Sequence, residues 1–423
     1  MFDLCVIGQG HIGLPTAVVF ASAGLNVLGV DINPQLIDEL NDGASPIIEP
    51  GLQDSLRSVI TQGNYKAALA PEHSDAYIVS VPTPIDSDNQ PVLDYLTAAA
   101  TSLAPLLQKG SLVILESTVP PGTTAGIFAT TLAAKSSIDP SDYLIAHCPE
   151  RVLPGQILSE LVHNDRVIGG LTEEASQSAF QLYSSVVKGE IVLTDATTAE
   201  LVKLSENIYR DVNIGLANEL AEAAESLGID VWEATKIANL HPRVNIHQPG
   251  PGVGGYCIPI ASVFLVAGID VYTPTISGAR QINSRQPQRS VNRILKALKG
   301  SNNPVVAVMG VAYKGNVGDA RATPADDIIS YLKAAGVTVK VHDPLSVNSN
   351  HKLVSADSAL EGADAVMFIT DHRQFSEIDP AATSKLMRGN IVFDGRNILP
   401  HRAWADAGFN VLRLGDGTNK PTS

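Results

Sequence analysis

The run Leu4-Cys-Val-Ile7-Gly8-Gln-Gly10-His11-Ile12-Gly13-Leu14 is apolar and β-favouring, breaks at three spaced glycines, and resumes as an apolar helical stretch to Ala23. That is strand, tight turn, helix. A second apolar run, Asn26 to Val30, follows Gly24 and ends on Asp31, 18 residues after Gly13. A glycine triplet alone means little, but between a strand and a helix, with an acidic residue at the next strand end, it marks a dinucleotide site. The turn Gly8, Gly10, His11, Ile12, Gly13 lets backbone N–H groups approach a pyrophosphate at the helix N-terminus, and Asp31 is placed to accept from a ribose 2′-OH. No arginine stands between Asp31 and Leu36 to meet a 2′-phosphate, so the expected cofactor is NAD and not NADP.

Working outward, the same grammar repeats. Ala76 to Val81 reads as a strand leading into Pro82-Thr83-Pro84, Ser111 to Leu115 leads into Glu116-Ser-Thr118, and Tyr143 to Ala146 leads into His147-Cys-Pro-Glu150. Strands alternating with helical patterns predict an α/β fold with a parallel, doubly wound sheet that binds ligands at the carboxyl ends of its strands. The last third echoes the first: Pro304 to Gly310 enters Val311-Ala-Tyr313-Lys314, Val337 to His342 ends on Asp343, and Ala363 to Ile369 and Ile391 to Phe393 follow.

Between the two halves, residues 197–227 carry Leu201, Leu204, Ile208, Val212, Leu216 and Leu220 mostly at fourfold spacing, the period of one long helix. At ~1.5 Å per residue it spans roughly 45 Å, more than one small domain needs, so it reads as a linker and a dimer surface. A Gly/Pro-rich loop, Gln248 to Gly255, precedes one further helical stretch toward Arg289. The expected organisation is therefore two Rossmann-like parallel-sheet domains, residues 1–196 and 299–423, joined by a central helical dimerisation region, residues 197–298. Only the tail after Gly415 reads as frayed.

Composition narrows the function. Of 423 residues, 44% are hydrophobic and 17% charged, and no apolar run approaches the ~18 residues of a membrane span. Basic residues number 29 against 44 acidic, a net charge of −15, which disfavours nucleic acid and anionic lipid as partners. Three cysteines and no secretory pattern at the N-terminus point to a reducing cytoplasm.

Few residues stand out as chemical. Cys257 ends the loop Gly250-Pro-Gly-Val-Gly254-Gly-Tyr256-Cys257, where exposed N–H groups lower a thiol's pKa, and it is read either as a nucleophile or as a packed thiol. Cys5 belongs to the core of the first strand and Cys148 to a packed strand end. Lys203, Asn207 and Asp211 fall at i, i+4 and i+8 on one helix face, a set able to orient an oxyanion or a water, unless the face is merely solvated. Glu150, beside Arg151 at the ligand edge, is either a general base or half of a surface ion pair. No metal-ligand spacing, nucleophile elbow or Walker loop is present, and His147, His241 and His247 stand isolated.

Taken in order, these segments resemble the UDP-glucose/GDP-mannose dehydrogenase family over nearly the whole chain, most closely its N-acetylhexosamine branch. The resemblance is carried by Gly8 to Pro15, Glu49-Pro-Gly-Leu52, Val81-Pro-Thr-Pro84, Glu116-Ser-Thr-Val-Pro-Pro-Gly122, Pro149-Glu-Arg-Val-Leu-Pro-Gly155, Asn164 to Gly170 and Thr198 to Leu204. Glu206-Asn-x-Tyr-Arg-Asp-Val-Asn213, His241-Pro-Arg-Val-Asn245 and Gln248 to Cys257 complete it. It implies oxidation of a UDP-N-acetylhexosamine (UDP-ManNAc or UDP-GlcNAc) at the C6 alcohol to the uronate with two NAD, for surface polysaccharide or glycan.

By motif position it implies Cys257 as nucleophile through thiohemiacetal and thioester, Lys203 and Asn207 as oxyanion- and water-orienting groups, and Glu150 as base for thioester hydrolysis. Thr118 would lie near the nicotinamide, with Pro82 and Thr83 on the cofactor side. Arg151, Val152, Arg210, Gly254, Tyr313, Lys314 and Arg321 would contact the sugar nucleotide, and Arg243 would be lent by the partner of a homodimer. Two departures stand out. Tyr256 and Ala261 replace the histidine and catalytic aspartate of the usual Gly-Gly-His-Cys-Ile-x-x-Asp-Pro pattern, which implies a slower alcohol step, and Arg321-Ala-Thr-Pro324 replaces Arg-Glu-Ser-Pro. The competing expectation is a degenerate member that binds NAD and a nucleotide sugar for a partial reaction or for regulation.

Overall fold

The computed structural model describes residues 2–346 and 348–417, and it divides into two compact units, residues 1–206 with 263–271, and 207–262 with 272–423. Each unit is built on one sheet.

The first unit's strands are β1 (Phe2–Ile7), β2 (Val27–Val30), β3 (Tyr65–Ala68), β4 (Ser74–Val79), β5 (Leu112–Leu115), β6 (Leu144–His147), β7 (Arg166–Gly170) and β8 (Ile191–Asp195), in the order β3-β2-β1-β4-β5-β6-β7-β8. The chain leaves β1 toward one edge, then returns to place β4 on β1's other side. The crevice beyond the carboxyl ends of β1 and β4 is therefore the switch point at which such sheets bind ligands. The sheet is dominated by parallel pairs, as expected, with one exception: β6 and β7 pair antiparallel, while β7 and β8 run parallel to each other. The 18 residues between β6 and β7, which include the short helix Ile157–His163, are long enough for either strand sense, so the direction is set by the pairing of β7 with β6 and not by the length of the connection. Both faces are covered, one by a cluster around Leu14, Phe20, Leu52 and Tyr183, the other around Tyr77, Leu96, Leu103 and Phe128.

The second unit's sheet runs β10-β9-β11-β12-β13, all parallel, from β9 (Val305–Met309), β10 (Thr338–His342), β11 (Ala365–Phe368), β12 (Ile391–Asp394) and β13 (Asn410–Arg413). Its switch point lies between β9 and β11. Here too both faces carry apolar clusters, one including Val308, Ile328 and Leu332, the other Phe368, Phe375 and Trp404.

The long helix runs Ala196–Leu227, as its spacing predicts, beginning in the first unit and continuing in the second. Its apolar stripe is split, with Leu204 and Ile208 buried but Leu201 and Leu216 42% and 43% exposed. The single helical stretch expected after the glycine loop is two helices, Cys257–Gly268 and Pro274–Ala297. The first ends at Gly268, and Pro274, whose ring is pre-set for a first helical turn, opens the second. The tail expected to fray after Gly415 stays ordered through Gly417, whose N–H donates to Ile229 O while Asp416 bridges to Asp230, and residues 418–423 lie outside the described residues. Among the described residues no helix is long and apolar enough to cross a membrane.

Candidate active site

In the first unit, the glycines of the opening turn have separate reasons. Gly8 has φ of 93°, and a Cβ there would come within 2.4 Å of Ser80 O, while a Cβ on Gly13 would strike Gly8 O at 1.8 Å. These two bring β1, the exit of β4 and the helix Gly13–Ser22 together. Gly10 is different, because a Cβ there would meet nothing within 4 Å. A side chain at Gly10 would fill otherwise open space at the turn, and its absence leaves room for a pyrophosphate to approach the start of the helix. Asp31 sits beside it, partly buried, with one carboxylate oxygen accepting from Gln9 N (2.9 Å) and the other from Asn33 N (3.1 Å). Two backbone donors fix the carboxylate and leave lone pairs for a ribose diol.

A cleft of about 360 Å³ adjoins this turn, lined by Gln9, Gly10, His11, Asn33, Leu36 and Ile47 among others. Among the described residues lining it none is lysine or arginine. Asn33 itself is occupied as the cap of the next helix, accepting from Gln35 N and Leu36 N. The residues present fit NAD.

At the exits of β4, β5 and β6 the first unit gathers its other candidates. Thr83 Oγ1 donates to Thr118 O (2.7 Å) and Ser117 Oγ to Val81 O (2.7 Å), so the segments after β4 and β5 form one hydrogen-bonded pair of loops. Glu150 and Lys203 form a buried ion pair. Lys203 Nζ donates to both Glu150 O (2.5 Å) and Glu150 Oε1 (2.9 Å), and Glu150 Oε2 accepts from Val152 N (2.8 Å). An ammonium has three donors, so one N–H of Lys203 remains for another acceptor. Arg151, by contrast, pairs with Glu206 (2.6 Å) and caps Asp165 O. His147 is fully buried, and burial together with the charge of Lys203 pushes its imidazole down to about 3.

The second unit holds the remaining candidates. Asn207 is buried and its Oδ1 accepts from the exposed Arg210, a bond that fixes the amide with its NH₂ as the group left to donate. Asp211 is fully buried, accepting from Ser262 Oγ (2.8 Å), Arg280 Nη1 (2.9 Å) and Asn283 Nδ2 (2.7 Å). Its task is thus to tie helices together. Cys257 is exposed and is the first residue of its helix, whereas Cys5 and Cys148 are buried. An N-terminal helical position favours a thiolate. Ala261, one turn along, is fully buried. The loop before the cysteine is held flush against the segment after β9: a Cβ on Gly254 would lie 2.8 Å from Ala322 O, and one on Gly255, at φ of 77°, 2.9 Å from the Tyr313 ring.

The switch point of the second sheet repeats that of the first with one change. Gly310, at φ of 98°, packs on Thr370 as Gly8 packs on Ser80. Asp343 ends β10 as Asp31 ends β2, but it accepts from Val311 N (2.7 Å), Ala312 N (3.0 Å) and His372 Nε2 (3.1 Å) and is buried. It is consumed internally. No helix begins at this turn before Pro324, so the turn offers no helix N-terminus to an anion. Lys314 lies in that segment. Arg321 is forked onto Asp319 (2.7–3.1 Å) with its guanidinium over the Tyr256 ring. Arg396, which sequence reasoning missed, donates to Ile369 O, and its guanidinium is where a Cβ on Gly250 would fall. Its position two residues after Asp394, at a strand exit of the repeated half, was the available signal.

Arg243 is exposed on the segment after the helix Val231–Ala238. Among the described residues no cluster of three or more His, Cys, Asp or Glu is arranged to hold a metal.

Comparison with known proteins agrees along the chain. Residues 2–187 match the NAD binding domain, 197–285 the central domain and 307–401 the UDP binding domain described for the UDP-glucose/GDP-mannose dehydrogenases. The chain is 45% identical over 422 residues to a UDP-N-acetyl-D-mannosamine dehydrogenase of Methanocaldococcus jannaschii, covering 98% of this chain and 97% of that one. It is 41% identical over 408 residues to an NDP-N-acetyl-D-galactosaminuronic acid dehydrogenase of Ralstonia nicotianae, covering 93% and 96%. Among solved structures, the UDP-D-ManNAc dehydrogenase of Pyrococcus horikoshii superposes with a TM-score of 0.93 at 41% identity, over 98% of this chain and all of that one.

Proposed function

Because the chain belongs to the UDP-glucose/GDP-mannose dehydrogenase family and is an NAD-dependent sugar-nucleotide oxidoreductase, we propose that it oxidises the C6 alcohol of UDP-N-acetyl-D-mannosamine to the uronate. The observation that carries the reading is the buried Lys203–Glu150 pair, which leaves one ammonium N–H for a substrate oxygen. NAD would be held by the Gly8–Gly13 turn, Asp31 and the Thr83–Thr118 loops, and when bound would supply the hydride acceptor for each of the two oxidations at C6.

The chain's own residues do the rest. The C6 hydroxyl gives its proton to solvent water as the first hydride leaves C6, with Lys203 and the NH₂ of Asn207 stabilising the oxyanion, and the same two groups then hold the oxygen of the thiohemiacetal that forms when the Cys257 thiolate adds to the aldehyde. Loss of the second hydride leaves a thioester. Water attacks its carbonyl, Glu150 takes the proton, and the thiolate departs, which balances the four-electron oxidation. Burial against Lys203 keeps Glu150 from dispersing into solvent. Tyr313, Lys314, Arg321 and Arg396 would hold the diphosphate and nucleoside, and Arg151, Val152, Arg210 and Gly254 the sugar.

We read residues 1–196, 197–298 and 299–423 as cofactor, central and nucleotide-sugar domains. The protein acts as a homodimer through the long helix, where Leu201 and Leu216 are exposed, as are Ile237 (59%) on the next helix and Leu240 (79%) just after its end, and Arg243 is the residue lent to the partner. An exposed thiol that must stay reduced suits the cytoplasm.

The test is NADH formed per sugar consumed with the UDP forms of N-acetylmannosamine, N-acetylglucosamine, N-acetylgalactosamine and glucose. Two per N-acetylmannosamine, and far less turnover with the others, is expected. Tight nucleotide binding with no NADH would instead support the degenerate reading, which the retained Cys257, Lys203, Asn207 and Glu150 disfavour.

A further inference from the structure

Glu200 lies one helical turn before Lys203 on the long helix and is 1% exposed. Its Oε2 accepts from Gly122 N (2.5 Å), and its Oε1 from Thr124 N (2.7 Å) and Thr124 Oγ1 (2.5 Å). Burial pushes its carboxyl up, the hydrogen bonds from Thr124 and Gly122 offset this in part, and the nearby charge that acts on it, Asp195, is also negative and adds to the cost. A carboxylate buried without a counter-cation is expensive, and a neutral residue would fill the space more cheaply. Something specific must depend on its three acceptor bonds.

The donors belong to the segment that leaves β5 through Thr118 and turns at Pro120-Pro121-Gly122. At its start that segment is bonded to the exit of β4, through Thr83 Oγ1 to Thr118 O and Ser117 Oγ to Val81 O. At its end Glu200 is, among the described residues, the source of every side-chain hydrogen bond joining it to the long helix. Two prolines between Thr118 and Gly122 fix φ and stiffen the short connection. Three residues on, on the same helix face, Lys203 binds Glu150.

We propose that Glu200 is a positioning residue for hydride transfer, setting the Thr118 segment, and with it the nicotinamide side, at a fixed distance from Lys203. This rests on the reading above that Thr118 borders the cofactor and Lys203 the C6 oxygen. A shift of about 1 Å between donor and acceptor costs on the order of 10²-fold in rate, whereas a mere helix cap contributes only to stability.

The test uses full-length Glu200→Gln, which keeps the side chain's volume but turns an NH₂ toward a backbone donor. The readouts are kcat, both KM values, the primary isotope effect with substrate deuterated at C6, and Tm. The expected result is a kcat at least about tenfold lower, KM values within about twofold, and a larger isotope effect as hydride transfer becomes more rate-limiting. An unchanged kcat and isotope effect with only a lower Tm would reduce Glu200 to a cap and overturn the proposal. Thr124→Val, which removes one donor from a buried site at nearly constant volume, should shift kcat and the isotope effect in the same direction by less, and it decides the matter if Glu200→Gln does not fold. Lys203→Ala and Thr118→Ala separate the two levels. If they too leave kcat unchanged, the active-site reading fails; if they lower it and Glu200→Gln does not, only this inference falls.

Discussion

Lys203 grips Glu150 twice, through the main-chain carbonyl and the carboxylate, although 53 residues separate them in sequence. The long helix and the exit of β6 are thereby locked together at the one point where each contributes a candidate catalytic group. Lys203→Ala removes both the proposed oxyanion donor and the counter-charge of Glu150. We expect a barrier higher by about 2–4 kcal/mol, read as kcat lower by roughly 30-fold to 10³-fold. A lower Tm should accompany it, because the buried Glu150 loses its cation. Loss of stability with kcat unchanged would make the pair structural only.

Cofactor choice follows from Asp31, held by Gln9 N and Asn33 N beside a cleft whose described lining has neither lysine nor arginine. A 2′-phosphate would meet a fixed carboxylate with no cation to offset it. NAD should therefore support much higher kcat/KM than NADP, and Asp31→Ala should narrow the gap. Equal kcat/KM for the two cofactors in the unmutated enzyme would contradict the assignment.

How much of this was legible in the sequence divides by distance along the chain. Gly8, Gly13 and Asp31 could be read because their partners lie within one βαβ unit, and Lys203, Asn207 and Asp211 because a helix converts spacing into a shared face. Their surroundings could not. Nothing near Asp211 announces Ser262, Arg280 and Asn283, nor anything near Glu200 the N–H groups of Gly122 and Thr124. The reversal at β7 was hidden for a similar reason: Arg166–Gly170 reads as a strand of either sense, and only its pairing with Ala146 and His147 fixes the direction. The split of the apolar stripe, with Leu204 buried and Leu216 exposed, depends on which helices pack against it.

Position 261 tests the departure from the family pattern. Ala261 is fully buried, and its neighbour Ser262 already donates to Asp211. A carboxylate introduced by Ala261→Asp would be desolvated, which costs stability but raises its pKa toward the range useful in proton transfer. We expect a lower Tm together with turnover raised at least about tenfold, ~1.4 kcal/mol of barrier. If turnover is unchanged or lower while the unmutated enzyme is already fast, another group carries the proton.

The buried His147 makes stability depend on pH. Its folded-state pKa of about 3 lies below the 6.5 of an exposed imidazole, so between those values the unfolded chain binds more protons and stability falls as pH falls. Glu116, pushed up to about 7 by burial, acts in the opposite sense, so the informative quantity is the difference between variant and unmutated protein. His147→Leu should lose less stability than the unmutated enzyme between pH 6.5 and 4 in chemical denaturation. Parallel pH profiles would mean that His147 is protonated in the fold.

Cys257, exposed at the start of its helix, is the residue on which the proposed covalent route depends most directly. The decisive measurement is uronate formed from UDP-N-acetyl-D-mannosamine and NAD by Cys257→Ser, followed by mass spectrometry alongside NAD binding by the same variant. The expected result is NAD binding as in the unmutated enzyme with uronate formation abolished, because the thiolate serves the aldehyde and not the dinucleotide site. Full conversion to uronate by Cys257→Ser would contradict it.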